Sequence, residues 1–197
     1  MNSGVTGRVQ HVCVGTARPL AAAGRTVLSG IGKQPVDGAV AVGPLGLAGD
    51  EQVDLSVHGG LQKAVYAYPM EHAAFWRRQR QAHGVSLFDE PLPPGFVGEN
   101  LAIEGVLEPG MWVGDTLHFP HCVLRVTAPR EPCFKFNAVM GFAQAARLMV
   151  REARCGFYLA VEQPGTLAAG EAFVLQPGPR ALSITEAIQA KWAKHRN

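Results

Sequence analysis

LAIEGVLEPGMWVGDTLHFPHCVLRVTAPREPCFKFN, residues 101–137, carries the fold class in its rhythm. Short apolar runs (Leu101–Ile103, Met111–Val113, Thr116–Phe119, Val123–Thr127) alternate with the turn signals Glu108-Pro109-Gly110 and Gly114-Asp115. Short strands at even spacing, parted by glycine and proline, are the pattern of a β-barrel or sandwich, and nothing here alternates strand with helix as a parallel α/β sheet requires. The same stretch ends in a feature of another kind. Its last strand stops at Ala128-Pro129, Pro129 and Pro132 bracket Arg130 and Glu131, and Cys133 follows at once. Proline fixes φ and withholds a backbone donor, so the loop is stiff and non-helical. A single thiol therefore stands at a strand end, three residues from a guanidinium. A nearby cation favours the thiolate, which makes Cys133 a candidate nucleophile or metal ligand, with a small structural residue as the alternative.

Outward from this stretch, Val5–Val14 reads as a first strand with Cys13 as a small core residue. Residues 15–35 are rich in Gly, Ala and Pro and read as a loop with one short strand at Arg25–Leu28. Asp37-Gly38 is a turn signal, followed by a strand at Ala39–Val42. GPLGLAGDEQVDLSVHGGLQKAVYAYP (Gly43–Pro69) interleaves glycines with Asp50, Asp54, His58 and Lys63, and its Ala64–Tyr68 is a strand. Residues 70–83 read as a helix and 85–97 as a Pro-rich loop closing on Gly98-Glu99-Asn100. On the other side, residues 138–155 read as one helix, with Val139, Phe142, Ala146, Met149 and Ala153 on one face and Gly156 as its stop. Phe157–Val161 and Ala172–Leu175 are closing strands. Ser183-x-x-Glu186 is a capping box that starts a helix with Ile184, Ile188 and Trp192 on one face. The expectation is a mainly-β barrel over residues 1–180 with a few peripheral α-helices, and a short C-terminal helix over 181–197.

Composition bounds the function. Hydrophobic residues at 47% against 17% charged describe a globular chain, and a net charge of +2 gives no whole-protein attraction to nucleic acid or membrane. The N-terminus has no apolar signal core, and no run approaches the length of a membrane span. Cys13, Cys122, Cys133 and Cys155 show no C-x-x-C spacing and no pairing rhythm, so a cytoplasmic protein with reduced thiols is expected.

No dinucleotide, P-loop, zinc-protease or serine-hydrolase motif is present. His118 and His121 flank Pro120 beside Cys122 and read as turn residues. His58-Gly59-Gly60 with Lys63 nearby is either a tight turn or a cradle in which N–H groups and a cation meet an anion. Gly98-Glu99-Asn100 is either a turn or an amide presented from a loop tip. Arg130 can hold a phosphate bidentately or can pair with Glu131.

Taken together, GLAGDEQVDLSVHGGLQKAVYAYP (46–69), VGENL (97–101), GVLEPGMWVGDTLHF (105–119), VTAPREPCFKFN (126–137) and FYLAVEQPGTLAAGE (157–171) resemble the MOSC family, named after the C-terminal domain of molybdenum-cofactor sulfurases, and within it the stand-alone YiiM-like proteins. The resemblance covers nearly the whole chain. It implies a MOSC-type β-barrel that binds the molybdenum cofactor, molybdopterin with Mo, with Cys133 as protein ligand to the metal and as the catalytic position. Loop chemistry and position within these motifs make His58, Gly59, Gly60, Lys63, Asn100 and Arg130 the cofactor-binding candidates. Pyridoxal phosphate binding is a further expectation. The implied activity is an oxidoreductase that reduces N-hydroxylated compounds such as 6-hydroxylaminopurine, a detoxification role. The alternative is a sulfur or cofactor carrier without turnover, with Cys133 as persulfide acceptor. The sequence carries no flavin, nicotinamide or iron–sulfur motif, so electrons are expected from a separate flavin or iron–sulfur reductase. Residues 181–197 are expected as the remnant of a longer helical segment that such relatives often carry.

Overall fold

The computed structural model describes residues 5–53 and 59–194. Along the chain, β1 (Thr6–Val14) precedes a hairpin of β2 (Arg18–Ala22) and β3 (Arg25–Ser29), then β4 (Gln34–Pro35), β5 (Val40–Gly43) and β6 (Gly46–Leu47). β7 (Val65–Pro69) leads into α1 (Ala73–Ala82). β8 (Leu101–Glu104), β9 (Thr116–His118) and β10 (Val123–Pro129) come before a helix pair, α2 (Phe134–Met140) and α3 (Ala145–Arg151). β11 (Phe157–Gln163), β12 (Gly165–Leu167) and β13 (Ala172–Gln176) precede α4 (Ile184–Lys194).

The expected barrel forms from seven of these strands. β1, β13, β9, β10, β11, β7 and β8 pair in that order and close on β1. Closure leaves no open edge and buries Val9, Ile103, Leu117, Leu124, Val126, Leu159 and Phe173 completely. Every junction is antiparallel except β7–β8, which pairs Ala67 with Leu101 and Pro69 with Ile103 in parallel. A tight turn cannot join parallel strands, and residues 70–100, with α1 among them, supply the crossover. A small sheet of β12, β5 and β6 and the separate β2–β3 hairpin flank the barrel.

Buried charges fasten the crossover and the loops. Glu108, 1% exposed, accepts hydrogen bonds from His72 Nε2 (2.8 Å) and from the Gly156 N–H (2.7 Å). Arg154 Nη1 donates to His72 Nδ1 (2.9 Å), and a guanidinium only donates, so the N–H of His72 faces the carboxylate. Asp115, from the Val113-Gly114-Asp115 turn, accepts the Trp112 N–H (3.0 Å) and the Gly178 N–H (2.8 Å) and pairs with Arg180, which anchors the linker to α4. The expected capping box is in place: Ser183 Oγ accepts the Glu186 N–H (3.2 Å), and Glu186 Oε2 accepts the Ser183 N–H (2.9 Å).

Three local expectations need correction. The single helix over 138–155 is two, α2 and α3, and the first begins at Phe134. Gly141 takes a left-handed φ of 82° and donates its N–H to the Asn137 carbonyl (2.9 Å), while Asn137 Oδ1 accepts the Ala146 N–H (2.7 Å). This is a glycine C-cap. Both helices lay apolar residues on the same core, Met140 in one and Ala145 and Met149 in the other, so the periodicity runs on through the break. Residues 15–35 hold the β2–β3 hairpin, whose mostly exposed arms lack the alternation that would announce it. The helix expected over 70–83 opens with a 3-10 turn at Met70–His72 before α1. No helix of the described residues is long and apolar enough to cross a membrane.

Candidate functional site

Tyr66 of β7 and Tyr158 of β11 stand directly opposite each other in register. Side chains alternate along a strand, so Val65, Ala67 and Leu159 take one face and the two tyrosines the other, with ring centroids 5.5 Å apart. Burial pushes both phenol pKa values upward, partly opposed by Arg130, so both hydroxyls keep their protons at neutral pH. The Tyr66 hydroxyl donates to the Cys155 carbonyl (2.9 Å).

Arg130, the first residue beyond β10, lies against this face. Its guanidinium carbon is 5.5 Å from the Tyr66 ring centroid and 4.9 Å from that of Phe136, and Nη1 is 3.4 Å from Met149 Sδ. Only 4% of the residue is exposed. Glu131, the partner the sequence offered as an alternative, pairs with Lys191 of α4 instead. Among the described residues no carboxylate forms an ion pair with Arg130. Aromatic faces and a thioether offset only part of the cost of burying a guanidinium, so the position favours an incoming anion.

Cys133 is a free, half-buried thiol in extended backbone (φ −116°, ψ 179°) just before α2, and its carbonyl accepts the Phe136 N–H (2.9 Å). Cys133 and Arg130 line one cavity together with Gly59, Lys63, Asn100 and both tyrosines. Its opposite wall comes from residues 29–33 and 50–53, and the space amounts to about 650 Å³ with its solvent mouth included. Four cations, Lys33, Lys63, Arg130 and Lys135, face two carboxylates, Asp50 and Glu51. Both carboxylates are engaged: Asp50 pairs with Lys33 and accepts the Gly15 N–H (2.9 Å), and Glu51 accepts the Ala17 N–H (2.7 Å). Among the described lining residues the surplus is positive.

The structure thus brings Cys133, Arg130, Lys63, Gly59 and Asn100 together. His58 lies outside the described residues. Gly60 plays a different part from an anion donor: its N–H goes to Gln52 Oε1 (3.1 Å), and its left-handed φ of 76° is what makes glycine suitable there. Asn100 has a structural duty as well. Its Oδ1 accepts the Tyr66 N–H (3.1 Å) and its Nδ2 donates to the Cys13 carbonyl (3.2 Å), stitching β7 to β1 at the cavity floor. Next to it, Glu99 accepts the Gly95 N–H (2.7 Å) and the Val97 N–H (3.1 Å), and burial pushes its pKa up to about 7.

Sequence reasoning missed Lys33, Tyr66, Tyr158 and Lys135. The tyrosines were findable, since VYAYP sets tyrosines at alternate positions of a buried strand and FYLAV sets one within an apolar strand. Lys33 sits in an unpatterned stretch that gives no such signal.

The MOSC domain family model matches residues 54–174. Protein YiiM of Escherichia coli (strain K12) is 34% identical over 164 residues, 83% of this chain and 71% of that protein. A protein named "Reductase" from Gibberella moniliformis is 31% identical over 86% of this chain and 30% of its own length. The crystal structure of YiiM from Geobacillus stearothermophilus superposes with a TM-score of 0.74 at 28% identity, covering 97% of this chain and 86% of that one. With the barrel and the order of its loops, these matches lead to one conclusion: the chain is a YiiM-like member of the MOSC family.

Proposed function

We propose that this protein reduces N-hydroxylated compounds by means of the molybdenum cofactor, with Cys133 as the protein ligand to the metal. The observation that carries the reading is Arg130, a buried cation without a carboxylate partner, in the same cavity as a free thiol and a surplus of positive charge. That donor set fits the group. A soft thiolate suits molybdenum, and the phosphate of the pterin suits Arg130 and Lys63. Pyridoxal phosphate has less support, because Lys33 is committed to Asp50 and the cavity presents a thiol near Arg130.

When bound, the cofactor supplies a redox-active metal at which an N–O bond is reduced. The conversion consumes an N-hydroxylated compound, two electrons and two protons and yields the amine and water. The electrons come from a separate flavin or iron–sulfur reductase. The chain's own work is to hold and exclude. Cys133 fixes the metal's position, Arg130 and Lys63 neutralise the anion, and the Tyr66–Tyr158 wall keeps one side of the cavity free of water.

The test is molybdenum and pterin analysis of protein made in a cofactor-competent host, beside reduction of 6-hydroxylaminopurine with an artificial electron donor. The parent protein retains metal and turns over, and Cys133→Ser loses both. Full metal content in Cys133→Ser would sink the assignment. A sulfur-atom mass adduct on Cys133 without molybdenum would favour the carrier reading.

A further inference from the structure

Three successive residues of the Cys133 loop are held by three different surroundings. Arg130 lies between the Tyr66 and Phe136 rings and against Met149 of α3. Glu131 pairs with Lys191 of α4. Pro132 borders an apolar crevice with Ala146 and Val150 of α3 and Ile188 and Trp192 of α4. α4 itself is firmly seated, with Ile184 and Ile188 buried and its start fixed by the Ser183–Glu186 box. Among the described residues, none of α4 lines the Cys133 cavity.

We propose that α4 is a brace for the Cys133 loop, with Lys191 as the positioning residue that holds the thiol at the cavity. The inference rests on the reading of Cys133 as the metal ligand and deepens it. Lys191 and Glu131 are partly exposed (side chains 45% and 41%), and an exposed pair adds little net stability. The brace therefore acts on loop geometry while global stability stays nearly unchanged, and this separates it from an ordinary structural contact.

Hydrogen exchange read by mass spectrometry on the peptide spanning residues 130–136, in the full chain, tests it alongside thermal unfolding. In Lys191→Ala, exchange of that peptide rises by about fivefold or more, while the melting temperature moves by no more than about 2 °C. Lys191→Arg restores protection, and so does the charge exchange Glu131→Lys with Lys191→Glu. Unchanged exchange in Lys191→Ala, or a rise shared by the whole chain, overturns the brace. Molybdenum retention is a second readout, reduced in Lys191→Ala relative to the parent. A parent protein that holds no molybdenum sinks the proposed function, while the exchange result still judges the brace.

Discussion

Glu108 and Arg130 are both buried charges beside the start of β11, and the fold treats them in opposite ways. Glu108 is surrounded by donors: His72 Nε2, the Gly156 N–H and, through the imidazole, Arg154. Arg130 has two aromatic faces and a sulfur but no carboxylate among the described residues. A saturated cluster ties loops to the barrel, and a second charge inside it would only be repelled. An unsaturated one lowers the stability of the empty protein and can recover that cost when an anion arrives. The contrast locates the site better than any single motif does.

Breaking the saturated cluster gives the largest expected effect. Glu108→Ala strips the partners from His72 and the Gly156 N–H, and urea unfolding registers a loss of about 3–5 kcal/mol. A loss below about 1 kcal/mol would mean that Glu108 is not the anchor its contacts suggest.

Glu99 lies between the two extremes, and its effect is intermediate. Its folded pKa of about 7 is above the ordinary carboxyl value, so the fold favours the protonated form. The stability this contributes is fully present below the unfolded pKa and is lost as pH rises through about 7. Glu99→Gln flattens the pH dependence of unfolding between about pH 4.5 and 7, the interval bounded by the two pKa values, and gains about 1–2 kcal/mol above it, after allowance for one lost backbone hydrogen bond. A pH profile identical to the parent's would show that Glu99 does not titrate there.

Arg130→Met gives the smallest stability change and sharpens the contrast most. Unfolding free energy stays within about 1 kcal/mol of the parent or rises slightly, because the buried charge that is removed has neutral partners, the Tyr66 and Phe136 rings, Met149 and the Tyr158 hydroxyl. Inorganic pyrophosphate raises the melting temperature of the parent but not of the variant. Equal thermal shifts in both would place anion binding elsewhere.

The barrel was legible because turn residues and short apolar runs are local signals, and residues 101–137 contain many of them. Cys133 was legible because two prolines and an arginine frame it. The division between α2 and α3 was not, since the core they share imposes one periodicity on both and only Gly141 marks the boundary. The β2–β3 hairpin was hidden for the opposite reason: its arms face solvent on most positions and so need no pattern. Asn100 shows a third limit. Its motif was visible, but the bonds from its amide to Tyr66 and Cys13 span 34 and 87 positions, and no local reading reaches that far.

The parallel β7–β8 junction also bears on how the molecule assembles. Its partners lie 34 positions apart, a separation like that of β10 and β11, whose pairs span 28–40. β7 and β8 meet only when residues 70–100 have bridged them, and closing that loop costs chain entropy. Lys63 and Tyr66 enter the cavity from the β7 side and Asn100 from the β8 side, on opposite banks of that junction. The two banks of the cavity thus join only once that crossover has closed.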